Sequence, residues 1–127
     1  MIKDNIKRKL KNLTVIFVDD EEFVVDTMRE ILPALFKRSY FSLNGIEAIE
    51  EVKKHNIDIV LTDLSMPKMN GIDMIKEIHK FKIDIKVVCI SGHNENEFIN
   101  KAKELGCSFI IKPISSNELF KALEEVL

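Results

Sequence analysis

Four short polar stretches could together move a phosphoryl group, and each follows an apolar run. Asp19-Asp20-Glu21-Glu22 follows residues 13–18, and Asp63 follows residues 57–62. Ser91-Gly92 follows residues 85–90, and Lys112-Pro113 follows residues 109–111. Three carboxylates brought close together repel one another and cannot all stay ionised without a cation. An all-oxygen cluster of that kind suits Mg²⁺, which keeps several waters and usually also meets a phosphate. A hydroxyl and an ammonium opposite the carboxylates supply the anion-binding half. Such a set describes phosphoryl transfer, where positioning and charge neutralisation supply most of the catalysis. Each residue alone has a plainer reading. An acidic pair at a helix start favours the dipole there, Asp63 or Ser91 can serve a turn, and Lys112 can be a solvated charge. The joint occurrence, each after its own apolar run, carries the argument.

Those residues need a scaffold that gathers them, and the periodicity of the chain supplies one. Short β-type runs alternate with helical stripes five times. After the first run, Phe23, Thr27, Met28, Ile31 and Leu35 recur at helical spacing, and Pro33 tightens the last turn. Residues 38–43 form a more polar strand, expected near an edge. Asn44 with Glu47, Asn94 with Glu97 and Ser115 with Glu118 have capping-box spacing ahead of the third, fourth-unit and last helical stripes. Met66-Pro67 and Asn70-Gly71 punctuate a loop. Strands apolar on both faces and separated by helices imply a doubly wound five-stranded parallel sheet with helices on both sides. In such α/β sheets ligands bind beyond the carboxyl ends of the strands, where the polar residues above fall.

Composition narrows the class. A chain of 127 residues is one domain's worth, and 46% hydrophobic residues can fill one core. A net charge of -2 argues against nucleic acid as the main partner. No apolar run reaches membrane-spanning length and the start lacks a signal-peptide pattern, so a cytoplasmic protein is expected. Cys89 reads as a small core residue and Cys107, after Gly106, as a partly exposed one, with no structural disulfide expected in the cytosol. Residues 1–12 form a basic extension: Lys3, Lys7, Arg8, Lys9 and Lys11 stand against Asp4. Ile2, Ile6, Leu10 and Leu13 have helical spacing, but a frayed, solvated tail is favoured over a docked amphipathic helix.

Over residues 13–127 the chain resembles a response-regulator receiver domain of bacterial two-component systems. The matching stretches are Val18-Asp19-Asp20-Glu21, Thr62-Asp63-Leu64-Ser65-Met66-Pro67-Lys68-Met69-Asn70-Gly71, Ile90-Ser91-Gly92 and Ile111-Lys112-Pro113. The resemblance implies the flavodoxin-like receiver fold and a signalling phosphoacceptor rather than an enzyme acting on a separate substrate. It implies Asp63 as acceptor of a phosphoryl group from the phosphohistidine of a sensor histidine kinase or phosphotransfer domain. Asp20, Asp63 and the main-chain carbonyl of Ser65 would ligate Mg²⁺, with Asp19 acting indirectly. Lys112 and Ser91 would contact the phosphoryl group, and the Lys112-Pro113 bond would be cis. Phe109 would occupy a switch position, passing the signal to an output domain, a partner or a second copy through the fourth helix, fifth strand and fifth helix of the alternating series. Its plainer role is a core residue, inward in both states. Ser65 and His93, each two residues beyond a site residue, would tune the lifetime of the phosphorylated state, with a solvated loop as the plainer place for His93. Gly92 stands where alanine is common, Phe109 replaces a frequent tyrosine, and the turn before Phe109 is one residue shorter than usual.

Three rivals are distinguishable. An aspartate-based phosphohydrolase of the haloacid-dehalogenase type expects a second aspartate where this chain has Ser65. A flavodoxin-like nucleotide binder needs a phosphate loop where Asp19-Asp20-Glu21-Glu22 would repel phosphate. A degenerate receiver used only for docking would have lost site residues that are all present here.

Overall fold

Packing along each strand sorts the residues onto two faces. The computed structural model describes residues 2–92 and 96–127. Within them lie β1 (Thr14–Val18), β2 (Arg38–Ser42), β3 (Ile59–Asp63), β4 (Lys86–Ser91) and β5 (Ser108–Ile111). All pair in parallel, in the order β2-β1-β3-β4-β5. Val15 and Phe17, Ile59 and Leu61, and Val88 and Ile90 enter one core layer. Ile16 and Val18, Val60, and Val87 and Cys89 enter the other. This is the period-two alternation of a sheet covered on both sides. The more polar β2 lies at the edge, as its composition predicts.

The helices are α1 (Ile2–Leu10), α2 (Glu22–Ile31), α3 (Gly45–Lys54), α4 (Gly71–Phe81), α5 (Asn96–Glu104) and α6 (Ser116–Val126). The first layer takes side chains from α1, α2 and α6, and the second from α3, α4 and α5. The side chain of Asn44 accepts a hydrogen bond from the Glu47 N–H, and Ser115 from the Glu118 N–H. Both are the N-caps expected from their spacing. Asn70 adds one that spacing alone did not flag, accepting from the Asp73 N–H. Asn94 of the remaining box lies outside the described residues. Pro33 sits in a 3₁₀ turn, Leu32–Ala34, that closes α2, because its missing N–H cannot extend the α-helix.

Three expectations are corrected. The inward stripe of α2 is Val25 and Met28, continued by Leu32, whereas Phe23 is 81% exposed. The spacing that joined Phe23 to Thr27 and Ile31 follows a row displaced from the buried face. Cys107 is buried, because the turn after α5 folds it under the sheet. There the Cys107 N–H donates to the Ala102 carbonyl and the Gly106 N–H to the Lys103 carbonyl, with Gly106 at φ 79°. That pattern is a glycine-terminated helix end. Lastly, residues 2–10 are a docked helix rather than a frayed tail. Ile6 and Leu10 are buried in the first core layer beside Phe120 and Leu123 of α6, and the Lys7 ammonium lies 5.7 Å from the Phe120 ring centre. Burying two such side chains contributes roughly 3–6 kcal/mol before ordering costs. The surface that receives them is more than a hundred residues away in sequence, so the local pattern could not reveal it.

Candidate functional site

The order of the strands reverses at β1, which pairs with β2 on one side and β3 on the other. A crevice therefore opens at the carboxyl ends of β1 and β3. Asp19 follows β1, Asp63 ends β3, Ser91 ends β4 and Lys112 follows β5. One carboxylate oxygen from each of Asp19, Asp20 and Asp63 lies within 4.8 Å of the others. Asp19 and Asp63 are buried, whereas Asp20 is exposed. The Lys112 ammonium stands 3.5 Å from Oδ1 of Asp63. Ser91 is fully buried, and its carbonyl accepts from the Lys112 N–H at 2.8 Å, tying the ends of β4 and β5 together.

Local backbone chemistry fixes these positions. Asp19 Oδ1 accepts from the Glu21 N–H at 2.9 Å, so the carboxylate orients the entry into α2 as well as facing the crevice. The hydroxyl of Thr62 donates to the Asp63 carbonyl at 2.8 Å. The loop after β3 returns tightly: the Gly71 N–H donates to the Leu64 carbonyl, and Lys68 takes a left-handed φ of 68°. A Cβ on Gly71 would lie 2.6 Å from the Asp63 carbonyl oxygen and 2.9 Å from Leu64 Cα. Only glycine permits that approach, which gives the Met66-Pro67-Lys68-Met69-Asn70-Gly71 stretch a physical role in holding Asp63. The Lys112-Pro113 bond is cis, as the resemblance implies.

Electrostatics in the crevice are strained without a cation. Burial pushes the Asp19 carboxyl above its ordinary range, and the neighbouring Asp20 charge adds to this. The Glu21 N–H and the Lys112 ammonium pull it back only in part. Burial alone would lower the Lys112 ammonium, but the carboxylates of Asp63 and Asp19 outweigh it and hold Lys112 above its usual value. An all-oxygen donor set with surplus negative charge on one side and a raised ammonium on the other fits a hard divalent cation beside an anionic group.

The remaining sequence candidates fall nearby with different exposure. Ser65 is exposed, two residues past Asp63. Phe109 is half-buried against the second core layer, with the Lys103 ammonium 5.2 Å from its ring centre. His93 lies outside the described residues. One feature of the site escaped the sequence reading. Phe23, Val24 and Ile31 of α2 face Pro113 and Ile114 across an apolar groove of about 710 Å³ that reaches Asp19 and Lys112. The signal was present as a large aromatic one residue off the buried stripe, but only the helix's rotation shows it facing out.

The chain belongs to the response regulator receiver domain family, whose pattern matches residues 15–124. It is 32% identical over 114 residues to chemotaxis protein CheY of Halobacterium salinarum, covering 89% of this chain and 95% of that protein. It is 27% identical over 119 residues to sporulation initiation phosphotransferase F of Bacillus subtilis, covering 93% and 96% respectively. Among solved structures, a two component transcriptional regulator AraC from Clostridium phytofermentans matches with a TM-score of 0.80 and 32% identity, over 91% of this chain and 92% of that one. The chain is thus a receiver domain homologous to the phosphoacceptors of two-component signalling. Among the described residues no helix is long and apolar enough to cross a membrane.

Proposed function

We propose that Asp63 is the phosphoacceptor and that the acidic crevice holds Mg²⁺ through Asp20, Asp63 and the Ser65 carbonyl, with Asp19 acting indirectly. The observation that carries this reading is a buried carboxylate at the end of β3, 3.5 Å from an ammonium and clustered with two further carboxylates. A carboxylate oxygen of Asp63 attacks phosphorus of a phosphohistidine. The phosphorus–nitrogen bond breaks, its electron pair stays on the imidazole, and an acyl phosphate forms on Asp63. Bound Mg²⁺ would supply positive charge to the transferring oxygens. Lys112 pairs with those oxygens from the opposite side, and the Ser91 hydroxyl donates a hydrogen bond to them. The donor, a sensor kinase or phosphotransfer domain, approaches over the apolar groove flanked by Phe23, which lies against the crevice.

Once phosphorylated, the domain signals through the fourth helix, fifth strand and fifth helix of its alternating series, which are α5, β5 and α6. Movement of Ser91 toward the phosphoryl group frees space for Phe109 to turn inward, and the altered face binds an output partner or a second copy. Ser65 and His93 tune how fast water removes the phosphoryl group. The cytoplasm is where such a donor and acceptor would meet. Incubation with acetyl phosphate and Mg²⁺, read by intact mass, tests the assignment. One phosphoryl group should be gained by the wild type and none by Asp63→Asn. Equal labelling of the two proteins would remove Asp63 from this role.

A further inference from the structure

We propose that Cys89 and Cys107 form a redox modification site, in which a hydroperoxide converts the two thiols into a disulfide joining β4 to the start of β5. The site lies outside the phosphoacceptor crevice and does not depend on it. Both residues are buried in the second core layer. Cys89 is the register partner of Phe109 across β4 and β5, so Cys107, two residues earlier, points to the same face of the sheet. The two thiols lie close enough to shift one another's acidity. They are the chain's only cysteines, so any intramolecular disulfide must join them.

The two sulfurs are not equivalent. Cys89 is fully enclosed, and the neighbouring Cys107, reinforced by burial, pushes its thiol far above the ordinary range. The neighbouring Cys89 in turn holds the Cys107 thiol below the ordinary value despite burial. Cys107 also lines a cleft of about 530 Å³ with His79, Asp84, Glu104 and Leu105. The sulfur with the greater thiolate character is therefore the one that solvent approaches, and the thiolate is the reactive form. Gly106, left-handed and with open space where a Cβ would be, gives the segment carrying Cys107 room to adjust toward Cys89.

The chemistry balances without a cofactor. The Cys107 thiolate attacks an oxygen of the hydroperoxide, the oxygen–oxygen bond breaks, and the departing alkoxide or hydroxide takes up a proton. Cys107 is then a sulfenic acid. The Cys89 sulfur attacks the Cys107 sulfur and loses its proton, the sulfur–oxygen bond breaks, and water leaves. Two electrons have passed from the thiol pair to the peroxide. The resulting bond links the strand that ends in Ser91 to the strand that leads to Lys112.

Hydrogen peroxide in small molar excess over the full chain provides the test. After its removal, the protein is unfolded in an alkylating reagent without reductant. Both cysteines should escape alkylation, the mass should fall by two hydrogens, and one peptide pair should be linked through Cys89 and Cys107. Reductant should restore both thiols. In Cys89→Ala, which also removes the partner that activates Cys107, oxidation should be slower and should stop at a Cys107 sulfenic acid that a cyclic 1,3-diketone traps, while Cys107→Ala should keep Cys89 alkylatable. Two alkylatable cysteines in the peroxide-treated wild type would overturn the proposal. So would disulfide-linked dimers, or a sulfinic acid on Cys107, in place of the internal crosslink. The wild-type result stands by itself if either variant folds poorly.

Discussion

At the scale of single residues, the crevice trades stability for charge. Asp19 sits buried with its carboxyl raised above the ordinary value of 3.8, so the folded state holds its proton to higher pH than the unfolded state does. Between those two values the folded chain binds more protons, and stability falls as pH rises. At neutral pH the ionised Asp19 is therefore a cost in the metal-free protein. Asp19→Asn keeps an oxygen for the Glu21 N–H while removing that cost. It should raise the metal-free melting midpoint at neutral pH by a few degrees and flatten the fall of stability as pH rises above the ordinary carboxylate range. Melts in chelator from that range up to neutral pH check this, and an unchanged slope would mean Asp19 is not the group responsible. Asp20→Ala relieves the same repulsion but removes a proposed Mg²⁺ ligand. It should melt no lower than the wild type in chelator, lose most of the Mg²⁺-induced rise, and accept phosphate slowly. A wild-type rise with Mg²⁺ would count against Asp20 as a ligand.

At the scale of elements, two contacts position the site and the face behind it. Gly71 opens α4 directly beneath Asp63, with no room for a Cβ. Gly71→Ala must push either the Asp63 carbonyl or the Leu64 backbone, an overpacking cost of about 1–3 kcal/mol. Denaturant melts should show that loss, and phosphorylation by acetyl phosphate should slow if Asp63, the displaced residue, is the acceptor proposed above. A variant as stable and reactive as the wild type would mean the loop yields freely. Helix α1 is held by Ile6 and Leu10, both in the core layer with α6. Leu10→Ala should cost on the order of 2–5 kcal/mol, as for a large-to-small change in a well-packed interior. A frayed tail would give almost no change, so urea melts of this one variant separate the two descriptions of residues 1–12.

For the whole molecule, β4 and β5 join the proposed acceptor end to the proposed output face. Ser91 ends β4, its carbonyl accepts from the Lys112 N–H, and Phe109 lies three residues before Lys112 on β5. On the proposed reading, a new hydrogen bond from the Ser91 hydroxyl to the phosphoryl group would reach α5 and α6 through packed elements, as a shift in populations and not as a new fold. Hydrogen exchange with and without beryllofluoride and Mg²⁺ should change across residues 96–120 and leave β1 and β3 nearly as they were. Identical protection in both states would mean the domain does not signal through that face. Phe109 is half-buried, with Lys103 over its ring, so an inward turn is a short movement within the second core layer.

Much of this architecture was legible without coordinates. Apolar runs with period two, helical stripes and cap spacing are local, and local hydrogen bonding and burial enforce them. The five strands, the caps at Asn44 and Ser115, and the placement of Asp19, Asp63, Ser91 and Lys112 at the carboxyl ends of strands all follow from such patterns. The Asp63-to-Gly71 stretch was legible as a motif, but its reason is tertiary: Gly71 touches the backbone of Asp63 and Leu64. The rest was decided by contacts between distant segments. Which side of α2 faces in depends on how the helix rotates onto the sheet, so Phe23 could be placed only once α2 was laid against β1 and β2. Whether residues 2–10 fray or dock depends on an apolar surface of α6, more than a hundred residues away. Cys107 reads as a turn residue locally, yet it is buried because β5 returns beside β4 and brings its thiol to Cys89. A periodic pattern reports which side chains share a face, while burial of that face depends on what the rest of the chain lays against it.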